Sequence, residues 1–152
     1  MRRKDREMPR DFAEAVIDRC VYAVLATVNE DGTPYCIPLS IVREGEWLYF
    51  HSAQEGRKID NVRSRNRVCL CCVGEARVPE GRFTMEYASA VVFGRVEAVP
   101  GDDEKTHALR LLGLRYTPKA MADFDKVLAR QLAQTGVWKV HIDEITGKQN
   151  RL

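Results

Sequence analysis

The sequence has no long hydrophobic run and no strong excess of one charge. Its longest apolar run extends from Val21 to Val28, whereas a membrane-spanning helix needs about 20 apolar residues. The 24 basic and 22 acidic residues leave a net charge of +2, so no overall attraction to nucleic acid is expected. There is no internal repeat or low-complexity segment, and 152 residues suit one domain. These absences argue against a membrane protein, a nucleic-acid-binding protein and a repeat protein.

The chain has five cysteines, and an odd number does not suit a disulfide framework. They lie within apolar segments, which predicts small buried residues in a reducing compartment. No signal-peptide core follows the N-terminus, so we expect a cytoplasmic protein. Strand alternation in CLCC would send Cys69 and Cys71 to one face and Cys72 to the other, without a second Cys or His pair nearby. We therefore expect no metal site.

The first ten residues, MRRKDREMPR, carry five Arg or Lys. Such a segment predicts a flexible basic arm over residues 1–10, followed by a single domain over residues 11–152. No base-reading motif accompanies the arm, so no nucleic-acid partner is expected. In the amphipathic helix that follows, Asp11 is the expected cap, with Glu14 three residues later.

Short apolar segments separated by turns predict a mainly β protein. Asp31-Gly32 favours a tight hairpin, and the first three segments together predict a β-meander. Gly94 predicts a bulge in the fifth strand or a bend at a barrel corner. The predicted strands cover 21–28, 35–42, 47–52, 68–73, 88–99 and 137–145, and two helices cover 102–116 and 119–133. This order predicts a six-stranded antiparallel barrel with peripheral helices.

The segment YFHSAQEGRK, residues 49–58, combines a strand end with a helix start. Ser52 and Glu55 match a capping box. That pattern leaves Gly56 unexplained, because glycine inside a helix costs about 1 kcal/mol relative to alanine. Free helix amides, a hydroxyl, His51 and Lys58 would suit a phosphate. A lone histidine such as His51 is also compatible with a hydrogen-bonded core residue, and both interpretations stay open.

Four segments resemble, in this order, the flavin-binding split-barrel proteins related to pyridoxamine 5'-phosphate oxidase, and within them the nitroimidazole-resistance (Nim-type) branch. They are VLATVNEDGTPYCIPLSIV, WLYFHSAQEGRKIDNVR, FTMEYASAVVFGRVE and VWKVHIDEITGK. The resemblance extends from about residue 12 to residue 148, and its most specific element is FHSA-x-x-G-x-K followed by EYASAVVFG. It implies a split β-barrel that forms an intertwined homodimer, with FMN in clefts between the subunits.

The resemblance also implies which residues contact FMN. His51 is the catalytic candidate beside the flavin. For Tyr87 and Trp138, the candidates from the partner subunit, core or dimer packing is the alternative role. The implied contacts are Ala26, Thr27, Val28, Pro38, Leu39 and Ser40 beside the ring, His51, Ser52, Ala53 and Lys58 at the phosphate, and Tyr87 and Trp138 from the partner subunit.

The implied activity is the reduction of nitroaromatic, nitroimidazole-like or other electron-poor compounds, with FMN as electron carrier. A flavin- or heme-binding carrier or sensor without robust turnover is the alternative. The chain lacks the arginine-rich motifs of true pyridoxamine 5'-phosphate oxidases, which argues against vitamin B6 oxidation. SRNRV at residues 64–68 also replaces the expected NPRV-like turn.

Overall fold

A computed structural model describes residues 1–151. None of the helices in this range is long and apolar enough to cross a membrane. The strands are β1 Glu7–Met8, β2 Ala23–Val28, β3 Pro34–Leu39, β4 Val42–Glu44, β5 Trp47–Ser52, β6 Arg67–Arg77, β7 Glu86–Ala98 and β8 Gly136–Asn150. The α-helices are α1 Arg10–Arg19, α2 Arg57–Ser64, α3 Asp102–Tyr116 and α4 Phe124–Gln131, and 3₁₀ turns cover Lys4–Arg6, Pro118–Asp123 and Leu132–Gln134.

The eight strands form one antiparallel sheet in the order β3-β2-β6-β7-β8-β5-β4, with β1 paired to β8. The two ends of this path, β3 and β4, are separated in sequence by only Ser40 and Ile41. The sheet therefore has to curl until its ends come together, as in a barrel. The Tyr116 hydroxyl holds this corner, because it accepts from the Ile41 amide at 3.1 Å and donates to the Ile41 carbonyl at 2.9 Å.

The predicted β-meander is confirmed only in part: its first hairpin forms between β2 and β3, and its second turn joins β5 to the short β4 alone. β2 and β3 pair across Asp31-Gly32 as expected, but β5 pairs with β8 and not with β3. The predicted strand 35–42 divides at Ser40 and Ile41 into β3 and β4. The six predicted segments correspond to the six long strands, and the two-residue β1 and three-residue β4 bring the total to eight.

The core lies on the inner face of the curled sheet and is covered by α1. Phe50, Leu25 and Leu70 are fully buried there, and Ile17 of α1 packs among them. A smaller cluster under α3 contains Tyr49 and is separate from this core.

The N-terminal segment differs from the prediction in two ways. Pro9 occupies the N-cap of α1 and no side chain caps the helix, so the predicted Asp11 cap is wrong. The Asp11 carboxylate accepts from the next amide instead. Proline fixes φ near the helical value and already directs the chain into the helix. Glu7 and Met8 pair with β8, so an ordered strand lies within the segment predicted as a flexible arm.

An irregularity is present at Gly94 in the β7–β8 pairing, but its extra residue lies in β8 and not in β7, the predicted fifth strand. Phe93 pairs with Glu144, but Gly94 pairs with Ile142, which leaves Asp143 as the extra residue of β8. A Cβ at position 94 would lie 2.2 Å from the His141 carbonyl oxygen. Glycine is therefore required here by close approach of two backbones.

Candidate functional site

The junction between β5 and α2 carries the residues predicted to bind phosphate. The capping box predicted there is wrong: the Ser52 hydroxyl donates to the Ala53 carbonyl at 2.7 Å, and Gly56 is the N-cap of α2. Gly56 has φ +107°, and nothing lies within 4 Å of where its Cβ would be. The glycine is thus explained by its left-handed backbone conformation and not by a close neighbour.

Lys58 lies in the first turn of α2 and is half-buried. Burial lowers the pKa of its ammonium group, because a charged group is disfavoured away from water. In the part of the chain that the structure describes, no carboxylate forms an ion pair with it, and no side chain caps the helix. An uncapped helix start and a cation without a counter-ion together favour an anion.

His51 lies beside Lys58 and borders a cavity. Desolvation, followed by the charge of Lys58, lowers the pKa of the imidazole below its ordinary value, so the ring is neutral at pH 7. The cavity has a volume of about 400 Å³, and Ser40 and Tyr116 also line it. The remaining walls are mostly apolar residues of α3 and α4, including Leu112, Phe124 and Leu128. His51 borders this cavity and its ring has no hydrogen-bond partner among the described residues, so it is not a hydrogen-bonded core histidine.

The residues predicted beside the flavin ring divide between the two faces of the β2–β3 hairpin. Ala26, Val28 and Pro38 lie on the outer face, whereas Thr27 and Leu39 face the core. The buried Thr27 hydroxyl donates to a β3 carbonyl at 3.2 Å. Its side chain is therefore already engaged, and only its backbone is left to contact a ligand.

Asn61 is a site residue that the sequence alone did not reveal. Its amide group is buried in α2 and donates to the Thr27 hydroxyl at 3.0 Å and to the Asn29 side chain at 2.9 Å. These bonds tie α2, and with it Lys58, to the end of the β2–β3 hairpin. The only signal in the sequence is a polar residue on the inward face of an amphipathic helix, three positions after Lys58.

Neither of the two candidates from β7 and β8 lines the His51 cavity. His51 pairs with Val137 and Tyr87 with Asn150, which is 13 residues further along β8, or roughly 40 Å in an extended strand. Within one chain, Tyr87 does not line the His51 cavity.

Trp138 faces the core, on the opposite side of the sheet from His51. It is 6% exposed and pairs with Phe50. Its indole nitrogen has no hydrogen-bond partner among the described residues, and the Arg63 guanidinium lies 6.0 Å above its ring. Core packing, the alternative given for this residue, accounts for its position.

The outer face of β3, β2, β6 and β7 is apolar over a wide area. Phe93 remains 45% exposed on it. The prediction that all cysteines are buried is wrong, because Cys36 is exposed and only Cys20 and Cys72 are buried. The predicted alternation in CLCC is confirmed.

We call the outer surface of β3, β2, β6 and β7 the outer face. It is defined by Val24, Ala26, Cys36, Pro38, Cys69, Cys71, Val91 and Phe93.

Comparison with known proteins agrees with this architecture. The structure is similar to that of a putative 5-nitroimidazole antibiotic resistance protein from Bacteroides thetaiotaomicron, at 25% identity over 94% of this chain and 86% of that chain, with a TM-score of 0.77. A FAD- and heme-binding protein from Mycobacterium smegmatis shares the fold, at 22% identity, 97% and 74% coverage and a TM-score of 0.83. An F420 reductase is 26% identical over 91% of this chain and 98% of its own, with a TM-score of 0.59.

No protein of curated function matches the sequence. The family model described as pyridoxamine 5'-phosphate oxidase matches residues 9–149. The match includes β2–β7, β8 except for its last residue, all four helices and the β5–α2 junction. The chain therefore belongs to the pyridoxamine 5'-phosphate oxidase family.

Proposed function

We propose that this protein binds FMN at the β5–α2 junction and reduces small nitroaromatic or other electron-poor compounds. The observation that carries the proposal is the half-buried Lys58, without a counter-ion, in the uncapped first turn of α2. A phosphate group supplies the negative charge and the acceptor oxygens that this arrangement lacks. The likeness to a nitroimidazole-resistance protein and to a reductase favours redox chemistry over a purely structural role.

The outer face of the β2–β3 hairpin offers a flat apolar surface for the flavin ring. Ala26 and Val28 are small, and Pro38 has no amide hydrogen to satisfy. Ser40 follows β3 and lines the His51 cavity. It would therefore lie between the flavin ring on the hairpin and a substrate in the cavity. When bound, FMN would supply the electrons for nitro reduction.

The His51 cavity suits a small aromatic substrate. Its volume of about 400 Å³ falls within the range of small-molecule sites, and the apolar side chains of α3 and α4 would exclude water from one side. The neutral His51 imidazole carries one N–H, which can donate a hydrogen bond to a nitro oxygen and orient the substrate. Because the pKa of His51 is lowered, its imidazole does not add a second positive charge beside Lys58.

We further propose a homodimer in which the outer faces of two copies enclose FMN. Contiguous apolar surface often marks an interaction site, and burying Phe93 against a second copy would remove its 45% exposure. In such a dimer, Tyr87 of one copy would approach the Lys58 site of the other. That arrangement accounts for a family-implied contact that one chain cannot make.

The cofactor is tested by a visible spectrum and a mass spectrum of the purified protein, followed by titration of the flavin-free form with FMN. We expect a flavin absorption band and one FMN per chain. A colourless protein that takes up no FMN would contradict the proposal.

Turnover is tested anaerobically in the same preparation. We expect a nicotinamide donor to reduce the bound flavin and a nitroimidazole to reoxidise it. His51→Gln should slow reoxidation at least tenfold with an unchanged melting temperature, since the side chain faces the cavity and not the core. Flavin that binds but is not reoxidised, or tighter uptake of heme than of FMN, would favour the carrier or sensor function instead.

Shared sites are tested by subunit complementation. Lys58→Ala and Tyr87→Ala should each weaken FMN binding as homodimers. A heterodimer purified through two different tags should regain one intact site, which means half of the wild-type FMN capacity. A heterodimer that binds no better than either parent would show that the two residues do not meet across a dimer interface.

A further inference from the structure

Another cavity lies at the end of the barrel where β7 ends and β8 begins. Its volume is about 420 Å³, which falls within the range of small-molecule sites. No described residue lines both this cavity and the His51 cavity. Lys58 does not line it, and of the residues implied to contact FMN only Trp138 does. The cavity is therefore separate from the proposed cofactor and substrate sites, and we call it the barrel-end cavity.

The indole N–H of Trp138 is an unpaired donor at the barrel-end cavity. The residue is 6% exposed, and its Nε1 has no hydrogen-bond partner among the described residues. A buried donor without a partner costs about 1–3 kcal/mol, and such groups in native proteins call for an explanation. Gly136 also lines the cavity, and a Cβ at this position would lie 3.1 Å from Nε1. Glycine therefore leaves open the space next to the donor, where an acceptor from the cavity can pair with it.

Two cationic side chains line the same cavity. They are Arg63 of α2 and Lys105 of α3, and within residues 1–151 neither forms an ion pair. The Arg63 guanidinium lies 6.0 Å above the Trp138 ring, so a cation and the unpaired donor are neighbours. The acidic residue of the wall, Glu97, is paired with Lys139 at 3.3 Å. The cavity thus has an excess of positive charge, which favours an anionic ligand.

The inner wall of the barrel-end cavity is apolar. It contains four valines that are each at most 3% exposed, namely Val62, Val96, Val99 and Val137. A bare inorganic anion has no apolar surface to place against these side chains, whereas a hydrocarbon body would gain free energy by leaving water. The combination of apolar wall, cations and a neutral donor favours an organic acid.

We propose that the barrel-end cavity binds a small organic monocarboxylate with an apolar body of about the size of benzoate. The carboxylate accepts hydrogen bonds from the Trp138 indole N–H and from the Arg63 guanidinium, and Lys105 adds a second positive charge. The apolar body lies against the valines. The site does not depend on FMN, because its residues are not those of the Lys58 site.

The position of a bound acid is measured by the Trp138 indole signal in a ¹H–¹⁵N NMR spectrum. The chain has two tryptophans, so Trp47→Phe leaves Trp138 as the only indole. Benzoate is the probe, and FMN is added first so that the Lys58 site is filled if it binds the cofactor. We expect the indole proton to move downfield as it acquires a charged acceptor. An indole signal that stays in place with benzoate at several millimolar would show that water alone pairs the donor, and would overturn the proposal.

Calorimetric titration with benzoate measures the contribution of the two cations. Arg63→Gln and Lys105→Gln should each raise the Kd about tenfold, because each removes one charge from the site. Lys119→Ala is the control for net charge, since Lys119 is exposed and does not line the cavity. It should leave the Kd unchanged. Wild-type affinity in both cavity variants would show that benzoate binds elsewhere.

Benzamide tests whether the site selects an anion. It has the same ring and a carbonyl oxygen but no charge, so it should bind about tenfold more weakly than benzoate. Equal affinities for the two probes would contradict an anion site.

Trp138→Phe tests the indole donor, because phenylalanine keeps an aromatic ring but has no N–H. The Kd for benzoate should rise about tenfold, whereas the control Trp47→Phe should bind as the wild type does. Urea unfolding establishes that the Trp138→Phe protein is folded, and the Arg63 and Lys105 variants test the site if it is not. A folded Trp138→Phe protein with wild-type affinity would overturn the role of the indole.

Discussion

Replacing Gly94 by alanine is expected to lower the free energy of unfolding by about 3 kcal/mol. The added Cβ would lie 2.2 Å from the His141 carbonyl oxygen and 2.7 Å from Cγ1 of Val140. Both atoms belong to β8, which is paired on its two sides with β7 and β5. The carbonyl cannot retreat without breaking strand pairing at the Asp143 bulge, so the strain cannot be relieved by a side-chain rotation.

Urea unfolding of the two proteins measures this loss. Gly74→Ala is the matched control, since Gly74 also lies in a long central strand but its Cβ would meet the nearest atom at an ordinary 3.5 Å. We expect the control to change the unfolding free energy by less than about 1 kcal/mol. A Gly94→Ala protein as stable as the control would contradict the close approach of β7 and β8.

Replacing Lys58 by alanine is expected to raise the Kd for FMN about 30-fold, which is about 2 kcal/mol. The Kd for riboflavin should change less than about threefold. Riboflavin has the same ring but no phosphate, so it cannot use the charge of a half-buried ammonium. The difference between the two ligands isolates the phosphate contact from general damage to the site.

Titration of flavin-free protein, followed by fluorescence quenching, measures both constants. Lys119→Ala is the control for net charge, because Lys119 is exposed in the turn between α3 and α4. It should leave both constants unchanged. Equal losses for FMN and riboflavin with Lys58→Ala would show that Lys58 supports the fold of α2 and does not hold the phosphate.

Local patterns in the sequence predicted most of the elements but not their partners. β5 and α3 begin and end at the predicted residues, because their boundaries depend on turns and on an acidic first helical turn. The pairing of β5 with β8 was missed because 84 residues lie between Ser52 and Val137. Which strands pair with each other is decided by burial across the whole barrel. The lengths of the connections do not determine this pairing.

Both predicted capping boxes failed for the same reason. Suitable side chains at the right spacing permit a side-chain cap, but the backbone before the helix decides which residue occupies the cap position. Pro9 and Gly56, with their restricted or left-handed conformations, took that position instead.

The candidate site was only partly predictable from the sequence. His51 and Lys58 are close in sequence, and a strand end followed by a helix brings them together without help from the rest of the fold. The inward orientation of Thr27 was not predictable, because β2 is apolar on both alternations. Asn61 was missed because its partners lie more than 30 residues away and only the folded chain brings them together.

The hydrogen bonds of Asn61 give the proposed cofactor site a fixed span. They join α2 to the β2–β3 hairpin through buried, low-dielectric contacts, so the Lys58 end and the Pro38 end cannot move apart independently. The distance between Lys58 and the ring-binding surface of the hairpin is therefore fixed. A ligand that uses both must carry its anionic group at that distance from its ring. A flavin with an extended tail would have to direct the excess length past Lys58 into solvent, since the span itself would not stretch.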